Sequence, residues 1–520
     1  MNAIVPSACL SLLAAACAAV PRGGPPAPAP DAGLDAFAAT VDSLRAELRI
    51  PGLSVAVARD GQVVLARGFG MSDVERGTPA TPGTVYPIGS VTKTFTATLM
   101  VQLAAEGRLD LEDAVAGHVS WQVPPDVRVR HVLSHTSEGT PGTRFAYSSR
   151  FNWLDDVVAH ATGEPFPALL ERRVLRPAGL ERTYPGSVDP AAAEATPGFA
   201  RPYAPDAAGR PVRSAYPPNA LHSSSGLNST VLDLARYAAA LDDDRLASAA
   251  ARERMFSPVV STRGDTLPYG LGWYSQRAAG MRVQWHPGWW PAAYSALLLR
   301  VPERGLVLAV LANSDALAAP QLGASSVLLT PVANAFLRLV AAPGDASGEE
   351  LRGTELIGRG LVARWRGEAA RGDSLLRAAA GCCPAALRTL SDDDLLRVLG
   401  ESGDPVVRAA GQDAGRRVLA AFPDEPGTLF NLGLSYGQVR PGLRIGGAEG
   451  GQAVALFERV LALREPIPEW MEGWSAYLAA DWLAASDPAR ARTLARRAAS
   501  SGADTDGLQG RVSALLGRLP

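Results

Sequence analysis

Lysine is almost missing from this chain. Of 50 basic residues only Lys93 is a lysine, and the rest are arginine. Cysteine is scarce as well: Cys9 and Cys17 lie near the N-terminus, and Cys382 and Cys383 are adjacent. So few thiols exclude a disulfide-stapled scaffold, and no Cys/His grouping has the spacing of a zinc site. For the neighbouring pair the expectation is two small buried residues on a helix, with a strained vicinal disulfide as the alternative. Strong charge of one sign is absent too, the net charge being −2. With no basic patch interleaved with aromatics, nucleic acid and anionic membrane surfaces drop out as expected partners.

Long apolar runs are also lacking, apart from Ile4 to Val20, which is too short for a comfortable transmembrane helix. It ends in small residues and is expected to be an export signal over residues 1–20, placing the mature chain in the periplasm or outside the membrane. Leu13-Ala14-Ala15-Ala16-Cys17 also resembles a lipoprotein cleavage site, with Cys17 as the residue that would carry lipid. A Pro/Ala-rich linker, residues 21–31, need not fold.

At 520 residues, more than one domain is expected. Leu53 to Ala58 and Val63 to Phe69 read as two strands around an Arg59-Asp60-Gly61 turn. Ser90 opens a long helix with Phe95, Leu99, Leu103 and Ala104 on one side and Gly107 as its stop. Thr230 with Asp233 starts another. Ala292 to Val301 and Leu306 to Leu311 form a second strand pair. Strands at both ends of a helical middle imply one sheet built from the two ends of a domain, residues 32–340. Residues 350–520 are rich in Ala, Leu and Arg at helical period and form a separate all-α, repeat-like domain. Within it, Asn431 to Tyr436 followed by Ala453, Phe457 and Leu461 resembles one tetratricopeptide repeat. That domain is either a packing appendage or a docking surface for a protein partner.

The lone lysine sits three residues after a serine, in Ser90-Val91-Thr92-Lys93. On a helix the two share a face, one turn apart. A guanidinium keeps its proton, whereas an ammonium releases it where its surroundings disfavour charge. A position that has resisted arginine is therefore a candidate for a neutral amine that activates the serine hydroxyl. Bringing a lysine pKa down by around three units requires about 4 kcal/mol of differential interaction, at ~1.4 kcal/mol per unit.

Two further segments complete the pattern. One is Pro141 to Ser149, containing Tyr147-Ser148-Ser149 and preceded by His131-Val132-Leu133-Ser134-His135-Thr136. The other is Trp285-His286-Pro287-Gly288, followed by Pro291, Tyr294 and Ser295 at the head of a strand. With Ser-x-x-Lys, these resemble the serine β-lactamase and penicillin-binding protein superfamily, specifically its class C and peptidase/esterase branch. Ser90 to Thr96, Gly226 to Leu241 and Tyr269 to Trp273 look like that family as well.

The resemblance implies an α/β (α+β) β-lactamase-like fold: a five-stranded antiparallel sheet flanked by helices, with an all-α lobe beside it. It implies Ser90 as acylated nucleophile and Lys93 as its proton partner. Tyr147 becomes a base or relay whose phenol Lys93 would make more acidic. His286 and Gly288 line the site, and the N–H groups of Ser90 and Trp289 form an oxyanion hole. No metal or organic cofactor is implied. Ser149 stands where the family usually has Asn, and His286 where class C enzymes carry a Lys that grips a carboxylate.

Both changes favour an esterase-like or peptidase-like hydrolase over efficient β-lactam turnover, with a small-molecule or peptide acyl substrate. A D-alanyl-D-alanine carboxypeptidase or D-amino-acid peptidase, and a weakly catalytic binding module, remain the alternatives. His131 and His135 are expected to be structural rather than metal-binding. The Asp242–Asp244 and Asp392–Asp394 runs are expected to be solvated turn or cap residues.

Overall fold

The computed structural model describes residues 32–206, 210–318, 325–344, 348–365, 367–387, 390–400, 402–437, 449–464, 467–502 and 507–520. The expected export signal, Cys17 and the Pro/Ala linker lie outside the described residues. No described helix is long and apolar enough to cross a membrane.

A first helix, α1 (Ala32–Glu47), leads into the hairpin of β1 (Gly52–Arg59) and β2 (Gln62–Asp73). A two-residue edge strand, β3 (Thr78–Pro79), follows. After a long helical middle come β4 (Tyr274–Ala278), β5 (Met281–Trp290), β6 (Tyr294–Val301) and β7 (Leu306–Ala312). They form one sheet in the order β3-β2-β1-β7-β6-β5-β4. Every pair is antiparallel, and β1 joins the two chain ends through Leu53↔Ala312 to Arg59↔Leu306. The sheet has seven strands where five were expected; β3 and β4 extend its two edges.

Alternation of side chains divides the core between the two faces of this sheet. Leu53, Val55 and Val57 of β1 pack with Leu308 and Val310 against α1 and helix Pro331–Phe336, where Phe37 meets Phe336 edge-on at 5.7 Å. Ala56, Ala58, Ala296 and Ala309 line the opposite face, and these small residues let helices α2 (Thr92–Ala105) and Val231–Asp242 approach closely. Helix α2 is buried almost all round. Its threonines remain satisfied: Thr96 donates to the Ser223 carbonyl at 2.7 Å, and Thr98 pairs with the Tyr237 hydroxyl at 2.8 Å. Thr230 caps the Val231–Asp242 helix as expected, accepting from Asp233 N at 3.1 Å.

From Gly348 onward all described regular structure is helical, in packed pairs such as Pro426–Gly437 with Glu449–Leu461 and Glu469–Leu483 with Pro488–Ser500. Helix Gly348–Trp365 stitches this region to the sheet: Leu351 and Val362 join the α1 side of the core, while Ile357 packs with Leu329 and Leu376. Two expectations need correction here. Cys382 and Cys383 form a vicinal disulfide, with Cys382 exposed and only Cys383 buried. The chain leaves helix Ala369–Cys382 at Cys383, ahead of Pro384, so the pair lies at a helix break rather than within a helix. The Asp392–Asp394 run forms the first turn of helix Asp392–Leu399, which Ser391 caps, and is not wholly solvated. Asp394 is buried and accepts the Ser325 N–H at 2.9 Å, and Asp393 accepts from Thr428 Oγ1 at 2.7 Å.

Candidate active site

The chain turns through a 3-10 segment, Gly89–Val91, directly into α2. Ser90 thus stands at the head of a buried helix, where unpaired N–H groups and the helix dipole favour developing negative charge. Lys93 follows one turn later and is only 3% exposed. Its Nζ lies 3.3 Å from Ser90 Oγ and donates to the Ser224 carbonyl oxygen at 2.9 Å. The rings of Tyr147 and Phe151 sit 4.9 and 5.2 Å from the amine. Among the described residues no carboxylate pairs with it, so burial acts unopposed and lowers its pKa from 10.5 to about 7.

Tyr147 enters from the loop between Ser137 and Ser149. The residue as a whole is 46% exposed, and its ring lies over the Lys93 amine with the phenol on the Ser90 side. Enclosure of the phenol raises its pKa, and the Ser90 contact offsets only part of that rise. Lys93 therefore does not make the phenol more acidic, as the sequence suggested. An amine driven towards neutrality leaves no fixed cation to hold a phenolate. This leaves Lys93 as the candidate proton acceptor and Tyr147, held neutral, as a candidate donor or relay.

His135, read from sequence as structural, holds Tyr147 from three sides. Its carbonyl accepts from Ala146 N at 2.7 Å, its Nδ1 accepts from Ser148 N at 3.0 Å, and its ring stacks on Tyr147 at 4.1 Å. Burial, together with the Lys93 charge, keeps the imidazole neutral. His131 also uses Nδ1 as an acceptor, from Arg128 N at 3.0 Å, and caps helix Val129–Leu133. The two histidines are thus committed to backbone, as a structural role requires.

His286 is fully buried on β5. Its Nδ1 donates to the Pro287 carbonyl at 2.7 Å, so Nε2 accepts from the Tyr269 hydroxyl at 2.8 Å. Burial, helped by the nearby Lys93, lowers its pKa to about 3. With both nitrogens engaged and no charge, His286 cannot grip a substrate carboxylate. Gly288 and Gly89 bring β5 against the serine turn. A Cβ on Gly288 would lie 1.9 Å from the Ile88 carbonyl oxygen, and one on Gly89 2.9 Å from Trp289 N. That close approach sets the N–H groups of Ser90 and Trp289 on neighbouring backbones, the arrangement an oxyanion hole needs. Trp289 and Trp290 are half-buried at the end of β5.

Ser149 is the predicted residue that the structure keeps apart. It is exposed at the start of the turn Ser149–Trp153 and makes no hydrogen bond to Lys93 among the described residues. The polar contact beyond Ser90 comes instead from the Ser224 carbonyl, which sequence reasoning missed. Its loop is held by Asp155, which accepts from Ser223 N at 2.6 Å and pairs with His222 at 3.0 Å. A backbone acceptor leaves no side-chain signal, although the Ser-rich run before Gly226 marks the turn. Tyr269 was visible only as part of a Gly-rich segment; its position under His286 emerges from the fold.

The family model described as Beta-lactamase matches residues 37–329, more than half of the chain. The chain belongs to the beta-lactamase family. It is 27% identical over 290 residues to a D-aminopeptidase of Gluconobacter oxydans, covering 48% of this chain and 53% of that protein. It is 25% identical over 311 residues to penicillin-binding protein 4* of Bacillus subtilis, covering 50% of this chain and 68% of the other. Among solved structures, the octameric penicillin-binding protein homologue from Pyrococcus abyssi matches with a TM-score of 0.50 and 27% identity, over 54% of this chain and 73% of that one. The chain spans about half the length of the D-aminopeptidase it matches. This beta-lactamase fold is that of serine hydrolases, in keeping with the Ser90–Lys93 geometry.

Proposed function

We propose that this beta-lactamase-family protein is a serine acyl hydrolase acting on D-aminoacyl amides, short peptides or esters that lack a carboxylate beside the scissile bond. The observation that carries the reading is Lys93. It is buried and 3.3 Å from Ser90 Oγ, and its pKa of about 7 lets it take the hydroxyl proton at neutral pH. Ser90 Oγ then attacks the carbonyl carbon, and the new oxyanion faces the N–H groups of Ser90 and Trp289. On collapse the bond to the leaving group breaks. That group collects a proton from the Tyr147 hydroxyl, which is refilled from Lys93. Water repeats the sequence on the acyl-enzyme, releasing the acid and restoring Ser90.

The preference for substrates without a carboxylate rests on the charges of the cleft. His286 is neutral, Arg150 is paired to Glu138 at 3.1 Å, and Arg144 is paired to Glu425. The likeness to a D-aminopeptidase supports an aminoacyl substrate, while the carboxypeptidase alternative needs a cation that these pairings withhold. A fluorophosphonate probe tests the reading. Labelling abolished by Ser90→Ala supports it, and an unlabelled wild-type protein refutes it in favour of a binding module. Side by side, p-nitrophenyl esters and D-aminoacyl p-nitroanilides should be hydrolysed well, with nitrocefin and D-alanyl-D-alanine peptides far behind.

Export remains part of the proposal, on the apolar residues 4–20, with Cys17 as the lipid-bearing residue if the chain is anchored. The paired helices after residue 348 form the proposed docking region for a protein partner, in the manner of tetratricopeptide repeats.

A further inference from the structure

We propose that the C-terminal helical region is a working part of the hydrolase, with Glu425 a positioning residue that braces the Tyr147 loop through Arg144. The inference rests on the acyl-hydrolase reading above.

Three contacts from the helical region converge on this side of the cleft. The first is the Arg144–Glu425 ion pair, three residues before Tyr147, with both side chains largely covered. Glu425 is itself held, because its other oxygen accepts the Thr428 N–H at the start of helix Pro426–Gly437. Second, the Arg263 guanidinium lies over the Phe422 ring at 4.9 Å. Its neighbour Thr262 donates N–H to the Gly142 carbonyl at 2.9 Å, tying that segment back to the Tyr147 loop. Third, Asp394 accepts the Ser325 N–H at 2.9 Å, and Gln276 of β4 accepts from Val327 N at 2.8 Å. These bonds fix the strand that carries Tyr274, whose ring lies parallel to Tyr147 at 6.4 Å.

Inside the domain, His135 clamps the backbone on both sides of Tyr147. Arg144 lies beyond that clamp, where Gly142 donates to the Thr136 carbonyl at 2.8 Å and accepts from Thr262 N, and Phe145 packs on Tyr269 and Tyr274, but no described hydrogen bond from segment 140–145 other than that of Arg144 reaches the helical region. The ion pair therefore adds the anchor that ties this outer segment to the helical region. Catalytic groups need placement within roughly half an ångström, so loosening one end of this loop costs rate rather than substrate affinity.

A mutant cycle on the full-length protein tests this. Arg144→Ala and Glu425→Gln are each expected to lower the Ser90 acylation rate about three- to tenfold, the scale of a partly exposed ion pair acting through geometry. KM should stay within about twofold, since the substrate touches neither residue. The double variant should be no slower than the slower single one, because both remove the same contact. Arg144→Lys should recover most of the rate. Glu425→Gln keeps an acceptor for the Thr428 N–H, so its melting temperature should match wild type. Wild-type rates in both single variants, or losses that multiply in the double, would overturn the proposal. Failure of the underlying reading is distinguishable, because the wild-type protein itself would then not be labelled by the fluorophosphonate.

Discussion

Replacing Lys93 by Arg probes the mechanism most directly, because it keeps the charge and removes the ability to surrender a proton. At pH 7, with a pKa of about 7, roughly half of the lysine side chains are neutral. An arginine there is neutral in a negligible fraction of molecules. If acylation needs the neutral amine as base, Lys93→Arg should lose about a thousandfold, within the range of general-base contributions. The assay is the rate of fluorophosphonate labelling, or the burst with a p-nitrophenyl ester, between pH 5 and 9. Wild type should rise through an inflection near pH 7 and level off, while the variant stays low and flat.

A control separates chemistry from folding. The drop from 10.5 to about 7 amounts to about 5 kcal/mol at ~1.4 kcal/mol per pH unit. Because the folded pKa is below the unfolded one, this penalty applies in full below pH 7 and is relieved as pH rises from 7 to 10.5. Lys93→Met should therefore be more stable than wild type at pH 6, by at most that amount less the lost hydrogen bonds, and the gain should shrink above pH 8. An arginine variant within tenfold of wild type, or a wild-type profile without an inflection between pH 6 and 8, would refute the reasoning.

Other substitutions should separate the remaining parts. Tyr147→Phe keeps the ring and its stacking on His135 but removes the donor to the leaving group. kcat should fall about a hundredfold with the fold intact by circular dichroism, and a loss below threefold would contradict the relay role. His135→Ala leaves the Ser148 N–H without a partner and opens space beside the Tyr147 ring, so kcat should fall about tenfold, with stability reduced by about 1–3 kcal/mol. Stability lost with kcat unchanged would show that the imidazole does not position the phenol. Gly288→Ala would press a methyl against the Ile88 carbonyl and push β5 off the serine turn. Acylation should drop by about a hundredfold or more, as for loss of an oxyanion donor, and a normal acylation rate would refute that placement.

Much of this was legible before the fold was seen, for physical reasons. The hairpin of β1 and β2 and that of β6 and β7 showed as short apolar runs around polar or Gly-containing turns; their ends lie within two residues of expectation except that β2 runs on to Asp73, four residues past Phe69. The Ser90–Lys93 spacing fixes both side chains on one helical face, so their meeting follows from the helix alone. His286, Gly288 and Trp289 fell not on the expected strand from Ala292 but on β5, the strand before it. What stayed hidden depends on partners distant in sequence. The Ser224 carbonyl has no side-chain signature, and Arg144 reaches Glu425 across 281 positions. Ser149 occupies the expected motif position, yet the turn from Ser149 to Trp153 carries it to the surface. The direction of the Tyr147 shift was misjudged because it depends on burial, which a motif does not report.

The same burial acts on every ionisable group around the nucleophile. It makes Tyr147, Tyr269 and Tyr274 harder to ionise and His135 and His286 harder to protonate, so all five stand neutral across the physiological range. Lys93 is left as the one group of this cluster that changes charge near pH 7. A second cation in the pocket would lower the amine's pKa further, while a carboxylate would raise it and trap the proton. The neutral imidazole at position 286 therefore has a consequence beyond substrate choice. His286→Arg, which would place a charge that keeps its proton beside the amine, should shift the acylation inflection to lower pH, whatever it does for carboxylate-bearing substrates. An inflection that moved upward, or stayed at wild-type pH in a folded His286→Arg protein, would show that the titrating group is not Lys93.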